Sequence, residues 1–275
     1  MNIFEAFNYQ FFIFAFIAVT LLSPILPVIG IRLANRGLSM IADTLAHTSL
    51  TGIAIGLVAG AMPIWISIVF SVCCSLLIEL VKRKFPKYSE ISLAIILSFS
   101  LGLVGILSKY APANRFESYL FGSLYNISLT EIIILASIVG VAIVYEIGFY
   151  RVKLSLSYSE EEAKAKGVPV ILYSVIDTIV ISIVIALASN IVGSLLVTSF
   201  ISIPVLTSLK VARSNKRANF LAIIFSLLGG MIGLFGSFGL SLHVGGTIVM
   251  AGLAILLIVF ILSSILKPKR DGICR

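Results

Sequence analysis

Charge is scarce in this sequence: Asp, Glu, Lys and Arg make up 12% of its 275 residues. Soluble domains run near a quarter charged, and so few charges leave too little polar surface for a water-soluble chain, which excludes a soluble enzyme. Long polar stretches are missing too, so no segment is left for a separate aqueous domain and residues 1–275 read as one unit. The three cysteines have neither metal-ligand spacing nor an evident disulfide partner: Cys73 and Cys74 adjoin within an apolar run and Cys274 lies near the end. Met-Asn-Ile-Phe-Glu at the start lacks the basic region and small-residue cleavage site of a secretory signal, so the first apolar run is expected to stay as a helix. There is no glycine-rich Lys-Ser/Thr phosphate loop and no His-Glu-x-x-His motif. Any ATP-driven action must therefore come from another subunit, and no permanently bound cofactor is expected.

What the sequence has is apolar length. Hydrophobic residues make up 59% of the chain, the mean hydropathy is +1.14, and runs of about 20 apolar residues recur throughout, each long enough to cross a bilayer as a helix. The reading is an all-α, polytopic helical membrane protein. Glycine, proline and charge punctuate nine spans: 10–31, 38–60, 63–81, 91–108, 131–149, 169–188, 190–209, 218–240 and 246–266. Of the 20 Lys and Arg residues, all but Lys109 and Arg115 fall in alternate connections. Positive charge is retained on the cytoplasmic side, so the N-terminus is expected outside and the C-terminus in the cytoplasm. The same rule accounts for the net charge of +8 without a nucleic-acid partner. Gly52, Gly56 and Gly60 recur every four residues, and Gly230, Gly233, Gly236 and Gly239 every three, spacings that let helix backbones approach closely. Pro24, Pro27 and Pro204 lie inside spans, where they kink helices or release carbonyls.

An ionisable side chain at membrane depth is expensive unless paired or hydrated, which makes each one a functional candidate. Asp43 and His47 stand four residues apart and therefore on one helical face. A carboxylate and an imidazole so placed can share a divalent cation, zinc or manganese, or can hydrogen-bond to each other and hold helices together. His243 falls near the outer end of the last connection and reads as a ligand, an entry-path residue or a solvated histidine. Asp177 lies deep in the sixth span and needs a partner: Ser174, Ser182 or a basic residue near the cytoplasmic edge. Glu79 and Glu146 lie near cytoplasmic span ends, where salt-bridged or solvated carboxylates are ordinary. Between the fifth and sixth spans, Ser159 is a plausible N-cap, Glu160, Glu161 and Glu162 fill a first turn, Ala163 and two lysines follow, and Gly167 is a stop. This predicts a short cytoplasmic helix, either a solvated connector or a surface that receives force from a partner.

The stretch from Arg36 to Ala54, with Asp43-Thr-Leu-Ala-His47 inside it, Tyr119-Leu-Phe-Gly-Ser123, the helix ending at Gly167, Val192 to Pro204, and Gly246-Thr-Ile-Val249 resemble the permease subunit of zinc and manganese ABC importers, in the family's order and over most of the chain. The Asp-Thr-Leu-Ala-His form is closer to the zinc branch. The resemblance implies an ABC importer permease fold and a homodimer in a prokaryotic cell membrane. It also implies two cytoplasmic ATPase subunits that use the ATP, and an extracytoplasmic metal-binding protein that delivers the ion. Asp43 and His47 match family residues lining the metal path, and Glu160 to Gly167 would be the helix that docks on the ATPase. Many relatives carry an aspartate where this chain has Ser241; His243, two residues on, is the alternative third ligand. Two other readings stand beside this one. An ion-coupled secondary transporter would use Asp43, His47 and Asp177 as a relay, but no inverted repeat is evident across the nine spans. An intramembrane metal-dependent hydrolase would need a general base and a catalytic water in addition to the pair.

Overall fold

A backbone in hydrocarbon has no water to bond, so it must satisfy its own amides, and a chain this apolar does so as helices. The computed structural model describes residues 7–85, 88–110, 119, 127–158, 164, 167, 169–240 and 242–266. They form ten helices: α1 Gln10–Asn35, α2 Met40–Ala59, α3 Pro63–Lys84, α4 Ser89–Leu107, α5 Leu129–Gly148, α6 Tyr150–Tyr158, α7 Val170–Val192, α8 Ser194–Val211, α9 Asn215–Leu240 and α10 Val244–Leu266. Among the described residues nine of these are long and apolar enough to cross a membrane, all but the short α6. The nine expected spans are all present, with ends displaced by a few residues.

Local chemistry sets those ends. Pro63 opens α3 at a position where its missing N–H leaves nothing unbonded. Ser128 and Glu131 make a capping box at the start of α5, the Ser128 hydroxyl accepting from the Glu131 amide and the Glu131 carboxylate accepting from the Ser128 amide. Gly193, at φ 97°, separates α7 from α8 in a conformation that side chains disfavour, a few residues later than the sequence suggests. Pro24, Pro27 and Pro204 all sit within continuous helices.

The packing inverts a soluble protein. Helix α2 is the least apolar of the nine spans, yet 72% of its most apolar stretch is buried, against 17% for α4 and α10. Lipid demands apolar side chains outside, whereas polar ones shelter inside the bundle. Accordingly Ile95, Phe99 and Ile106 of α4 and Leu257, Ile258 and Ile261 of α10 are exposed. The core gathers Phe12, Leu22, Leu26 and Ile29 of α1, Leu45 of α2, Leu135 of α5, Ile185 of α7 and Phe200 of α8. Small residues bring α2 against α3: a Cβ on Gly52 would strike the Ser67 Cα, and one on Gly56 would lie 2.8 Å from the Pro63 Cα. Gly233 is held as tightly against Ile248 of α10, whereas Gly236 and Gly239 face open space, so only part of the glycine series joins helices within this chain.

Candidate functional site

Helix α2 places most of its polar side chains inward and satisfies them locally. Thr44, Thr48, Ser49 and Thr51 donate to carbonyls one turn back, and Thr51 also reaches the Ser100 carbonyl of α4 at 3.1 Å. Asp43 and His47 occupy the remaining face. Asp43 is exposed, in the first helical turn, where the helix dipole favours a carboxylate. His47, one turn on, is half-buried, and its Nδ1 is buried without a hydrogen-bond partner among the described residues. Met40 completes an open strip at this end of α2. The pair thus offers one oxygen donor and one unsatisfied nitrogen to the same space, and Asp43 lies within electrostatic reach of the ring. Among the described residues no three His, Cys, Asp or Glu gather as a metal cage, so His243 does not join the pair.

His243 is exposed at the foot of α10 and lines an open, largely apolar hollow of about 910 Å³ with Gly233, Gly236, Gly246 and Met250. Ser241 lies outside the described residues, as do Glu160, Glu161, Glu162 and Ala163 of the expected cytoplasmic helix. Gly167 is described: its φ of +77° and its amide bond to the Lys164 carbonyl, at 2.9 Å, form the tight turn expected of a helix stop. Just ahead of that segment, α6 is a helix that the span reading did not include.

Among the described residues a second set of charged groups pairs at one end of the bundle, where spans meet α6. Glu146 of α5 accepts from the Arg32 guanidinium of α1 through both carboxylate oxygens at 2.8 Å, and Lys153 of α6 lies 2.8 Å from the same carboxylate. Asp177 of α7 faces Arg32 at 3.0 Å, Arg36 at 3.4 Å and Lys153 at 3.6 Å. The Lys153 ammonium also stands 3.6 Å from the Tyr145 ring centre. Burial pushes the Lys153 pKa down, the Arg32 charge adds to that, and Glu146 opposes it. One turn before Asp177, Ser174 donates to Glu79 at 2.7 Å, and Glu79 is also held by Arg83 at 2.7 Å and Lys82 at 3.7 Å. Asp177 is therefore committed to basic residues, not to Ser174 or Ser182, and the three-residue relay of a secondary transporter is not assembled. Arg32, Arg36 and Lys153 are the partners of Asp177 that sequence reading did not name. Their only signal was that a carboxylate deep in an apolar span must find a cation.

Comparison with known proteins adds to this geometry. Residues 8–264 match the model of the ABC 3 transport family. A "Probable metal transport system membrane protein" of Treponema pallidum is 30% identical, covering 95% of this chain and 99% of its own length. The "High-affinity zinc uptake system membrane protein ZnuB" of Buchnera aphidicola is 27% identical over 94% of this chain and 99% of the relative. The "Manganese import system permease protein ScaB" of Streptococcus parasanguinis is 26% identical over 88% and 85%. Among solved structures, PsaBC from Streptococcus pneumoniae in complex with Fab contains a chain that superposes with a TM-score of 0.83 at 25% identity, over 94% of this chain and 95% of that one.

Proposed function

The chain belongs to the ABC 3 transport family, and from that premise we propose that it is the permease subunit of an ATP-driven divalent metal importer, with zinc as the ion carried. The observation that carries the reading is the contrast on α2: the Thr44, Thr48, Ser49 and Thr51 hydroxyls all bond carbonyls, while the His47 Nδ1 is left without a partner among the described residues, one turn from an exposed carboxylate. A buried ring nitrogen left open beside an exposed carboxylate is available to a passing ligand.

In this reading the ion is substrate, not a structural cofactor. Asp43 supplies charge and an oxygen ligand, His47 supplies nitrogen, and water or a second copy of the chain completes the coordination. Two protein ligands hold an ion loosely, which suits a site that must release what it binds. The imidazole favours zinc over the oxygen-rich sites that suit manganese. Relatives named for zinc and for manganese both support a divalent metal cargo, and the Asp-Thr-Leu-Ala-His form supports zinc. His243, which does not join the pair within one chain, and Ser241 stand as ligands at a separate point on the path. The basic end faces the cytoplasm, with the N-terminus outside, in a prokaryotic cell membrane. A homodimer encloses the pathway, a cytoplasmic ATPase docks on the segment from Glu160 to Gly167, and an extracytoplasmic metal-binding protein delivers the ion. ATP-driven closure then moves the docked segments and opens the path inward by alternating access.

Reconstitution with the partner ATPase and binding protein in proteoliposomes tests the reading. Zinc accumulation that requires ATP and ignores imposed proton or sodium gradients is the expected result. Accumulation driven by a gradient without ATP would make the chain a secondary transporter and overturn it.

A further inference from the structure

We propose that Arg36 and Asp177 are positioning residues that link the segment between α6 and α7 to the metal pair on α2. The proposal rests on the reading that this segment receives the ATPase and that Asp43 and His47 receive the metal.

Two helical arms, α6 and α7, flank the segment in sequence, and each carries a buried charge. Lys153 lies on α6, before it, and Asp177 lies on α7, after it. Lys153 pairs with Glu146 and faces Asp177, Asp177 pairs with Arg32, and Arg32 pairs with Glu146, so the two arms meet each other directly and through α1 and α5. Asp177 also meets Arg36, the residue that follows α1. Only the turn from Gly37 to Ser39 separates Arg36 from the start of α2, and Asp43 sits in the first turn of that helix. An uninterrupted line of charged contacts and short chain therefore runs from the two arms to the metal pair.

The contacts along that line are unequal. The Arg32–Glu146 pair is short and hydrogen-bonded through both carboxylate oxygens. Asp177 is held differently: its Oδ1 lies 3.0 Å from Arg32 Nη2, yet neither atom has an aligned hydrogen bond among the described residues. Its Oδ2 accepts from Arg36 at a long 3.4 Å. Arg32, Arg36 and Lys153 compete for two carboxylates, so Asp177 can exchange partners while the group as a whole stays neutralised. Buried charges hold firmly in any one pairing and switch between pairings in discrete steps, which is what an element with two arrangements requires. Glu146 is the fixed point, and α7, through Asp177, is the arm that moves α2.

The test measures metal carried per ATP hydrolysed by the complete transporter in proteoliposomes. For Asp177→Asn, ATP hydrolysis is expected to stay within about twofold of wild type, while zinc transported per ATP falls about tenfold, the order by which residues between coupled sites change their coupling. Arg36→Lys, which keeps the charge, is expected to restore most of the ratio lost in Arg36→Gln. A purely structural role would lower hydrolysis and uptake together and leave their ratio unchanged, which would overturn the proposal. If the single variant fails to insert, Arg36→Gln/Asp177→Asn preserves the net charge and carries the test: an unaltered ratio again overturns it. Failure of the wild-type complex to move zinc at all would instead strike the transport reading.

Discussion

Two groups of ionisable side chains lie in this bundle, and they are built on opposite terms. Arg32, Arg36, Glu146, Lys153 and Asp177 bury their charges against one another, with Arg32 and Lys153 side chains 7% and 5% exposed. Asp43 and His47 stand on an open face, and the His47 Nδ1 has no partner among the described residues. Burial without pairing is expensive in hydrocarbon, so the first group joins helices through its ion pairs, while in the proposed reading the second keeps a donor open for an ion. Charge inside the membrane is therefore not one signal. What distinguishes the two groups is whether opposite charges within the chain meet them.

The comparison breaks most visibly at the open pair. Asp43→Ala and His47→Ala are each expected to lower zinc uptake about a hundredfold or more. Asp43→Ala, at an exposed position near a helix N-terminus, is expected to change stability by about 1 kcal/mol or less. Uptake assays paired with thermal unfolding in detergent check both halves. A large loss of stability would make the pair glue rather than ligand.

The closed group should answer in the other direction. Asp177→Asn leaves Arg36 buried without its carboxylate and is expected to destabilise the bundle by about 3 kcal/mol, read as a lowered unfolding midpoint. Gly52→Val, which drives a side chain into the Ser67 backbone of α3, is expected to cost about 2 kcal/mol. It would damage uptake only as far as it damages folding. The smallest effect is expected at Glu79→Gln. Glu79 itself is buried, but Gln keeps an oxygen to accept from Ser174 and the basic partners Lys82 and Arg83, 19% and 28% exposed, can turn to water, so the change should be about 1 kcal/mol.

The nine spans were legible because lipid imposes one rule, apolar length, on every segment, and because basic residues mark alternate connections. The first span ran past its expected end near residue 31: Arg32, read as a boundary charge, is buried in the helix and paired with Glu146. That Asp43 and His47 share a helix was legible because their four-residue spacing carries that geometry. The closed group was not, since its partners lie 114 and 141 residues apart and only tertiary packing joins them. Asp177 advertised the need for a cation without naming Arg32, Arg36 or Lys153. His243 could be noticed as a histidine near a span end, but its place beside the open Gly236 and Gly246 depends on how α9 meets α10.

The most direct measurement is radioactive zinc uptake in cells lacking their own importer, comparing wild type with the Asp43→Ala/His47→Ala variant at equal membrane expression, with and without excess manganese. Uptake that resists manganese in wild type and disappears in the variant is the predicted result. Undiminished uptake in the variant would contradict the account, because the open pair would then carry no ion.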